Sequence, residues 1–600
     1  MRYFLQILTV ILLLTVCFLL FALTTSFDRA RMAALRLEKR LSAPVSPAAS
    51  GPSLISGGGD FANQEYFFPG AVPGGQLVTA ISASPPGLNP LLANEASAQS
   101  IFSLCSMTLA ERDWQHPEKF RPLLAENFTV SDDRMQYHIK LRDGVFWQPF
   151  TDPETGISYP AEKVTAHDIK FAADVILDPA VNCAPLRSYY QDINEVKVIN
   201  DRELLISWKR RYYGSLASTL GLFPLPRHLY IGQNGRFDAA KFNDSHKRNR
   251  MIVSCGPYLF DKWSGNSRTI TLRRNPDYIG RAFRAAPAVE TREFEVIQLP
   301  NTQFQSLLAG KIGMLSLTPE QWQTRTGGTE FSSGGKFKKL RYPGMAYSYI
   351  GYNQQLPCFR DAETRRALTM LIDRQAILEK LMYGFGRLAK GPFPPASVYS
   401  DPELSPLPYD PEGAKKLLHQ AGWRDNDGDG ILERDGRKFS FTMLQISGSS
   451  MQLRMLPMIK NYFAAAGIDM QLQTVEWSVL IDRLKKREFE ACNLGWTGSP
   501  DPDPYQIFHS SQAGKNGDNF ISFKNRELDR LIEELRQEFD LDKRIALTRK
   551  IEHILHREQP YTFMFYPDAL LAISAEYKNV RVFPMGVEPL SFYRQKEFVK

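Results

Sequence analysis

The strongest constraint on the fold is an alternation of strand-like and helix-like segments from about residue 71 to the C-terminus. Residues 137–141 (YHIKL) alternate in polarity as a half-buried strand does. Residues 165–175 (TAHDIKFAADV) begin with a good helix N-cap and then carry apolar residues at helical spacing. Further strands are predicted at 76–81, 269–273, 293–298 and 345–352, and long helical patterns at 362–383 and 528–559. Mixed strands and helices without a detectable short repeat predict an α/β fold.

The size and composition of the chain set the broad class. A chain of 600 residues is longer than one hydrophobic core usually serves, so we expect two or three lobes. Hydrophobic residues make up 43% and charged residues 23%, which excludes a disordered or fibrous chain. The net charge of +8 is small beside 73 basic and 65 acidic residues, and no long basic run is interleaved with aromatic residues. Nucleic-acid binding therefore has little support.

The N-terminus carries an uncharged segment at residues 3–23 (YFLQILTVILLLTVCFLLFAL) that is long enough to cross a bilayer. A cleavable signal peptide has a shorter apolar core, and the one exit site here, around residues 24–26, is weak. We predict an uncleaved signal anchor over residues 1–27, with a cleaved signal as the alternative. Basic residues between 29 and 40 run against export, although large domains often translocate regardless. Residues 28–70 are predicted to form a basic helix followed by a Ser-, Ala-, Pro- and Gly-rich flexible linker.

Motifs of enzyme active sites are missing from the sequence. There is no Gly-x-x-x-x-Gly-Lys-Ser/Thr phosphate loop, no His-Glu-x-x-His and no Gly-x-Ser-x-Gly nucleophile elbow. His553 and His556 lie three apart on a predicted helix, but a zinc site needs three or four ligands, so a solvated helix face is the better interpretation. The five cysteines beyond the apolar segment are far apart, which indicates no metal cluster and leaves one or two disulfides open. We predict neither catalysis nor a cofactor.

The segment 425–436 (DNDGDGILERDG) opens like a calcium loop, with Asp425, Asp427 and Asp429 at alternate positions. Position 12 of such a loop is a bidentate Glu, but here it is Gly436, and a strand-like segment follows where a second helix is required. We interpret the segment as a helix-to-strand connection whose Asp and Gly residues suit turns. A structural calcium on the three aspartates is the alternative.

An ordered series of motifs covers about residues 70 to 600. It comprises, in chain order, GQLV at 75–78, PGLNPL at 86–91, PLLAENF at 122–128, YHIKLRDGVFW at 137–147, TAHDIKF at 165–171, GPY at 256–258, RNPDY at 274–278, FRD at 359–361, RRAL at 365–368, IDR at 372–374, VEW at 475–477, GWTG at 495–498, and LDRLI at 528–532 through PY at 560–561. Each motif alone is weak, but the ordered series resembles the family 5 extracytoplasmic solute-binding proteins of bacterial ABC importers, the oligopeptide- and dipeptide-binding type.

The resemblance implies a periplasmic-binding-protein-like clam of class II, the large peptide-binding type, with three lobes and a hinge. By analogy, lobe I takes residues 71–115, 208–345 and 565–600, lobe II takes 116–207, and lobe III takes 346–564. Because the chain crosses between lobes more than once, short connections would absorb the rotation on closure.

The resemblance also implies how a ligand is held. Exposed strand edges of such a clam satisfy the peptide main chain, and a buried ammonium needs a charged partner. Asp501, and then Asp503, are the expected amine partners, although the spacing after Trp496 is shorter than in typical dipeptide binders and Ser499 stands in the usual place of the aspartate. The alternative is that both aspartates only shape a Pro-rich turn. Further ligand-lining candidates follow the positions of the family: Trp477, Asn493, Trp496, Thr497, Tyr347, Phe565, Tyr566 and Met107.

The expected function is capture of peptides and their delivery to an ABC permease at the periplasmic face of the bacterial inner membrane. The protein is expected to be a monomer held by its N-terminal helix. Two alternatives stay open: the same fold binding oligosaccharides or another polar solute, and a membrane-tethered ligand sensor that feeds no importer.

Overall fold

The computed structural model describes residues 55–58, 60–93, 95–231, 235–244, 247–514 and 517–595. A five-stranded antiparallel sheet forms one layer near the N-terminus. Its strands, in spatial order, are Ile55–Gly58, Ala125–Val130, Gln136–Leu141, Glu203–Trp208 and Ile193–Asn200. Helix Ala166–Leu177 packs beside this sheet and begins at Thr165, which forms a capping box with Asp168. The predicted strand at 137–141 and the helix at 165–175 are both confirmed.

A twelve-stranded mixed sheet extends through the rest of the molecule. Ten strands follow one path in the order Tyr258–Trp263, Thr269–Arg274, Val289–Val296, Gly74–Ile81, Met314–Ser316, Tyr561–Ser574, Ala346–Tyr352, Ala491–Thr497, Ser440–Ile446 and Asp469–Val475. Strands Phe337–Pro343 and Gly386–Leu388 pair with Tyr561–Ser574 off this path. Five two-stranded sheets are also present among the described residues: Ala110–Arg112 with Phe120–Pro122, Phe150–Thr151 with Ser158–Tyr159, Glu433–Arg434 with Arg437–Lys438, Tyr577–Lys578 with Tyr593–Arg594, and Val582–Phe583 with Gly586–Val587.

The strand Tyr561–Ser574, called the crossing strand below, joins the two halves of the long sheet. Up to Pro567 it pairs with Ala346–Tyr352 and Gly386–Leu388, and from Asp568 onward it pairs with Phe337–Pro343 and Met314–Ser316. The predicted lobe boundaries near residues 345 and 565 lie close to this change of partners. The division into lobes stays a prediction. If the lobes are as predicted, the chain passes between lobe I and lobe III near residues 345 and 565, and these two connections would serve as the hinge.

Helices cover the faces of both sheets. They are Ala96–Cys105, Ala166–Leu177, Ala184–Arg187, Ser215–Leu220, Arg227–Tyr230, Ala239–Asp244, Pro300–Leu308, Pro319–Arg325, Ala362–Met370, Arg374–Met382, Pro411–Gln420, Ser450–Ala464, Trp477–Lys486, Tyr505–Phe508, Arg526–Gln537 and Leu541–Glu558. The two long helical patterns predicted at 362–383 and 528–559 are each divided. Asp373 and Asp540 cap a new helix in the middle, where their carboxylates accept hydrogen bonds from the backbone N–H of Ala376 and Lys543.

The linker predicted up to residue 70 is wrong in its last part, because residues 55–58 and 60–70 belong to the folded body. Strand Ile55–Gly58 pairs with Ala125–Val130, and the side chains of Phe61 and Tyr66 are buried. The glycines that suggested flexibility let this strand lie against a neighbouring ring: a Cβ on Gly57 would come within 2.4 Å of Phe128. The predicted anchor at 1–27 and the start of the linker lie outside the described residues. Within the part that is described, no helix combines the length and apolar character needed to span a bilayer.

The acidic loop holds its three aspartates together, with their carboxylate oxygens within 4.8 Å of one another. Asp425 accepts hydrogen bonds from two backbone N–H groups of the loop, and the Lys438 ammonium bonds to both Asp427 and Asp429. A strand, Ser440–Ile446, follows instead of a helix. These contacts agree with a turn-forming connection, in which a lysine occupies the position between two carboxylates.

The two histidines at 553 and 556 and the five described cysteines have separate surroundings. His553 Nε2 lies 2.8 Å from Asp401 Oδ2, and His556 Nε2 lies 3.0 Å from the carbonyl oxygen of Ser405, so the two rings have separate partners. The five cysteines at 105, 183, 255, 358 and 492 are free thiols, which removes the disulfides left open above.

Candidate functional site

A cavity of about 590 Å³, called the aromatic cavity below, lies between the segment after strand Ala491–Thr497 and the region around residues 186–218. Tyr189, Tyr212, Tyr213 and Trp496 contribute to its walls. The Trp496 ring stacks on Phe520, with 5.8 Å between ring centroids. Rigid aromatic walls of this kind suit a ligand that is buried as the cleft closes.

Strand Ala491–Thr497, called the edge strand below, has an open backbone edge, and its last two residues line this cavity. It pairs with Ala346–Tyr352 over its whole length, but strand Ser440–Ile446 meets it only at Ala491 and Cys492. Within the described residues, no strand covers the second side from Asn493 onward. The backbone N–H of Gly498 donates to Met345 O at 2.9 Å, towards the paired side. Because successive backbone groups alternate in direction, the N–H and C=O of Gly495 and Thr497 face the open side.

Tyr347 adds a polar group to the same cavity. Its side chain is 3% exposed and lies in the wall, and its hydroxyl has no hydrogen-bond partner among the described residues. A buried hydroxyl without a partner is costly, so a ligand atom that bonds to it would be stabilised. Thr497, which is exposed, lines the wall beside it.

Asp501, the first predicted amine partner, lies in the cavity wall and is already paired with arginines. Its Oδ2 accepts from Arg112 Nη2 at 2.9 Å, and its Oδ1 accepts from Arg544 Nη2 at 2.9 Å and from the Tyr399 hydroxyl at 3.1 Å. Burial acts to raise the pKa of Asp501, but the charges of Arg112 and Arg544 outweigh it and hold the pKa below its usual value. A peptide ammonium would have to share this carboxylate with two guanidinium groups, and its role as amine partner stays a prediction.

Asp503, the second predicted amine partner, has the same kind of environment at greater depth. Its Oδ2 lies 3.1 Å from Arg536 Nε and accepts from the Tyr212 hydroxyl at 2.9 Å. Its side chain is 6% exposed. Its Oδ1 accepts from the backbone N–H of Tyr505 at 3.1 Å, so this buried carboxylate holds the turn that follows the edge strand, which agrees with the alternative that Asp503 shapes the turn.

The remaining predicted residues divide between walls and core. Trp496, Thr497 and Tyr347 line the aromatic cavity, while Trp477 lines a separate cavity of about 480 Å³ next to residues 446–451. Four others are buried and absent from the walls of both cavities: Met107, Asn493, Phe565 and Tyr566. Asn493 Nδ2 donates to Tyr349 O at 2.8 Å, and the Tyr566 hydroxyl donates to Gly391 O at 2.8 Å, so both hold the framework.

Sequence reasoning missed the arginines and tyrosines that complete the site. Arg112 is 389 residues before its partner Asp501, and nothing in its local sequence indicates the pairing. The adjacent Tyr212 and Tyr213 do offer a signal, because two aromatic residues follow three basic residues after strand Glu203–Trp208. The Tyr213 hydroxyl donates to Pro502 O at 2.6 Å, so this pair supports the turn after the edge strand.

The chain is similar to several known peptide-binding proteins. The oligopeptide-binding protein AppA of Bacillus subtilis is 28% identical over 521 residues, covering 85% of this chain and 90% of that protein. Di/tripeptide-binding protein 1 of Pseudomonas aeruginosa is 25% identical over 532 residues, covering 86% and 93%. The solved structure of AppA in complex with a nonapeptide has a TM-score of 0.78 at 27% identity and covers 88% of this chain and all of that one.

More distant structures share the fold. NikZ of Campylobacter jejuni, solved with Ni(L-His), has a TM-score of 0.72 at 21% identity and covers 87% of this chain. The predicted clam-type α/β fold is confirmed by these neighbours together with the AppA structure. The model of the bacterial extracellular solute-binding proteins, family 5, middle region, matches residues 119–519. This chain therefore belongs to the family 5 bacterial extracellular solute-binding proteins.

Proposed function

We propose that this protein is the substrate-binding receptor of an ABC importer and that it captures peptides in the aromatic cavity. The observation that carries this proposal is the open side of the edge strand, where the backbone groups of Gly495 and Thr497 are unpaired among the described residues and Thr497 lies in the cavity wall. An extended peptide can pair there as an added strand, which gives affinity without sequence preference because the main chain is common to all peptides. The peptide-binding names of the relatives support the same ligand class.

The proposed binding sequence uses the contacts in the cavity wall. The peptide main chain bonds to the edge strand, the Tyr347 hydroxyl takes a ligand oxygen or nitrogen, and Trp496 packs against a side chain. Asp501 uses three acceptor positions in the structure, and a carboxylate has about four, so one position remains for a ligand N–H. Closure about the crossing strand would then bury the ligand from water.

The setting of the receptor is part of the proposal. The uncharged segment at residues 3–23 supports an inner-membrane anchor that presents a monomeric receptor on the periplasmic side, next to its permease. Washing membranes with alkaline carbonate tests this. The protein is expected to stay in the membrane fraction, and a mature N-terminus near residue 25 with release on washing would contradict the anchor.

Binding is tested on the purified full chain by calorimetric titration with mixed tri- to pentapeptides and, in parallel, with cello- and manno-oligosaccharides. Peptides are expected to bind, and oligosaccharides are expected not to bind. Binding of oligosaccharides without binding of peptides would contradict peptide capture and favour the alternative of an oligosaccharide receptor. Thr497→Pro removes a backbone donor on the open side and is expected to weaken peptide binding at least tenfold. Thr497→Val keeps that donor and serves as the matched control. Equal affinities of the two variants would argue against strand addition.

A further inference from the structure

A second cavity, called the carboxylate cavity below, adjoins the aromatic cavity. Its volume is about 830 Å³, and its walls include parts of strand Gly74–Ile81, helix Ala96–Cys105 and the segment 585–592. Arg112, Phe120 and Ala217 line both cavities, so the two cavities share part of their walls. None of the site residues predicted from the sequence lies in the walls of this second cavity.

Two glutamates, Glu111 and Glu588, lie in the wall of the carboxylate cavity, and both also line a small void next to it. Glu111 Oε2 accepts a hydrogen bond from Asn63 Nδ2 at 3.3 Å. The Glu588 carboxylate accepts from the backbone N–H groups of Leu590 at 3.0 Å and Ser591 at 2.7 Å. Among the described residues, neither glutamate has a cationic nitrogen within ion-pair distance, 4.0 Å.

The contrast with the aspartates of the aromatic cavity is informative. Asp501 and Asp503 each have a guanidinium within about 3 Å, supplied by this chain itself. Glu111, which is half-buried, has only a neutral amide as its hydrogen-bond partner. Buried carboxylates are normally paired or hydrogen-bonded by several donors, so Glu111 has acceptor capacity that the described residues leave unused.

The electrostatics of the pair point the same way. Burial, together with the charge of Glu588, raises the pKa of Glu111 to about 7, although the hydrogen bond from Asn63 acts to lower it. Burial likewise raises the pKa of Glu588 to about 7, against the backbone N–H groups and the charge of Arg292. Tyr278 is the other titratable group close to both. A cation arriving in this cavity would relieve the cost of keeping both glutamates ionised.

Arg292 adds an independent observation, a buried donor in this wall without an acceptor among the described residues. Its side chain is 2% exposed in strand Val289–Val296, and its Nη1 donates to Pro589 O at 3.3 Å. Its Nε, however, has no acceptor among the described residues. A ligand oxygen would satisfy this donor, so the wall combines unused acceptors with an unused donor. A basic residue of a peptide carries both complements, a cationic side chain and a main-chain carbonyl.

We propose that the carboxylate cavity is a subsite for a cationic side chain of the ligand, an ammonium or a guanidinium, which Glu111 contacts directly and Glu588 supports. The inference rests on the proposed function in that the ligand is a peptide spanning both cavities. It adds a preference for lysine or arginine at one position of that peptide.

Titration of the full chain with two peptide series tests the subsite. One series is alanine pentapeptides with a single lysine at each position in turn, and the other carries glutamine at the same positions. The unmodified protein is expected to bind at least one lysine peptide ten times more tightly than its glutamine counterpart. In Glu111→Gln this ratio is expected to fall to about two or less, and in Glu195→Gln, an exposed site on strand Ile193–Asn200, it is expected to stay unchanged.

The outcomes separate the two proposals. Tight binding of both series without a lysine preference, or a preference that survives Glu111→Gln, would overturn the subsite and leave peptide binding intact. Agmatine, a cation without a peptide backbone, is titrated alongside. If no peptide binds but agmatine binds the unmodified protein and not Glu111→Gln, peptide capture falls and the cation subsite stands. If neither peptides nor agmatine bind, both fall. Thermal melting of each variant establishes that it is folded, and Glu111→Asp, which keeps the charge, is expected to retain part of the preference.

Discussion

The ion pair between Arg112 and Asp501 is predicted to hold the cleft closed. Arg112 ends the short strand Ala110–Arg112, in predicted lobe I, whereas Asp501 follows the edge strand, in predicted lobe III. Arg544, on helix Leu541–Glu558, fixes the other oxygen of Asp501 from within lobe III. If the lobes move apart when the ligand leaves, the Arg112 contact breaks while the Arg544 contact remains. Arg112→Met should therefore weaken closure without disturbing the turn that carries Asp501.

The size of the effect follows from the contact geometry. A hydrogen bond between charged groups contributes about 1.5–3 kcal/mol net. The Asp501 side chain is 35% exposed and the Arg112 side chain 13% exposed, so solvent screening reduces the value. We expect a coupling of about 1–2 kcal/mol. Because about 1.4 kcal/mol corresponds to a tenfold change in affinity, Arg112→Met should weaken ligand binding by roughly 5- to 30-fold.

A double-mutant cycle on ligand affinity measures this coupling. Calorimetric titrations compare the unmodified protein, Arg112→Met, Asp501→Asn and the double variant, which is expected to bind more tightly than the sum of the single effects predicts. The control is Arg273→Met: Arg273 Nε lies 3.1 Å from Asp261 Oδ1 on the neighbouring strand of the same sheet, so its loss should leave affinity unchanged. Additive single effects would refute the latch. Loss of all binding in Asp501→Asn with normal binding in Arg112→Met would refute it too, and would make Asp501 a direct ligand contact.

Three further predictions concern charge. Affinity for the lysine peptides should fall as the pH is lowered from 7.5 to 5.5, because Glu111 and Glu588, with pKa values of about 7, become protonated. Affinity for the glutamine peptides should change less over this range. An equal loss of affinity in both series would contradict the prediction. Burial acts to raise the pKa of Asp152, but Arg248 holds it at about 2, so this pair stabilises the fold above pH 4 and its contribution is lost towards pH 2. Asp152→Asn leaves the buried Arg248 with Glu154, 3.8 Å from its Nε, as its remaining carboxylate partner, and should cost about 3 kcal/mol, measured by chemical denaturation at pH 7; an unchanged transition midpoint would refute it. Lys438→Met removes the ammonium between two carboxylates of the acidic loop, so millimolar calcium should raise the melting temperature of this variant more than that of the unmodified protein; equal shifts would show that the loop has no use for a cation.

Local signals in the sequence were sufficient for the individual elements. Strand Gln136–Leu141 and helix Ala166–Leu177 follow from polarity patterns and from the capping residue Thr165, all of which act within a few residues. The break between helices Ala362–Met370 and Arg374–Met382 was missed because the apolar spacing continues across it. The apolar pattern is compatible with one helix or with two. The carboxylate of Asp373 decides for two, because it accepts a hydrogen bond from the backbone N–H of Ala376 and so caps the second helix.

The folded N-terminal residues show why composition can mislead. Gly, Ser and Pro before residue 61 predict a flexible tether, and the same glycines allow a strand to pass close to Phe128. What decides between these outcomes is a partner strand, Ala125–Val130, which lies about 70 residues further along the chain. Composition describes the cost of ordering a segment but not the contacts that offset it.

The charges of the binding site are the part that the sequence could not supply. A motif can place an aspartate after Trp496. Whether that aspartate can bind a ligand ammonium depends on which cationic side chains of the chain already contact it. Arg112 and Arg544 come from segments 389 residues before it and 43 residues after it, and both contact Asp501 in the folded chain. Glu111, next to Arg112 in the sequence, faces the other cavity with a single amide partner. The resemblance to the family places the cation of the ligand at Asp501 or Asp503. In this chain arginines already neutralise both aspartates, so Glu111, which has unused acceptor positions, is the better partner for that cation.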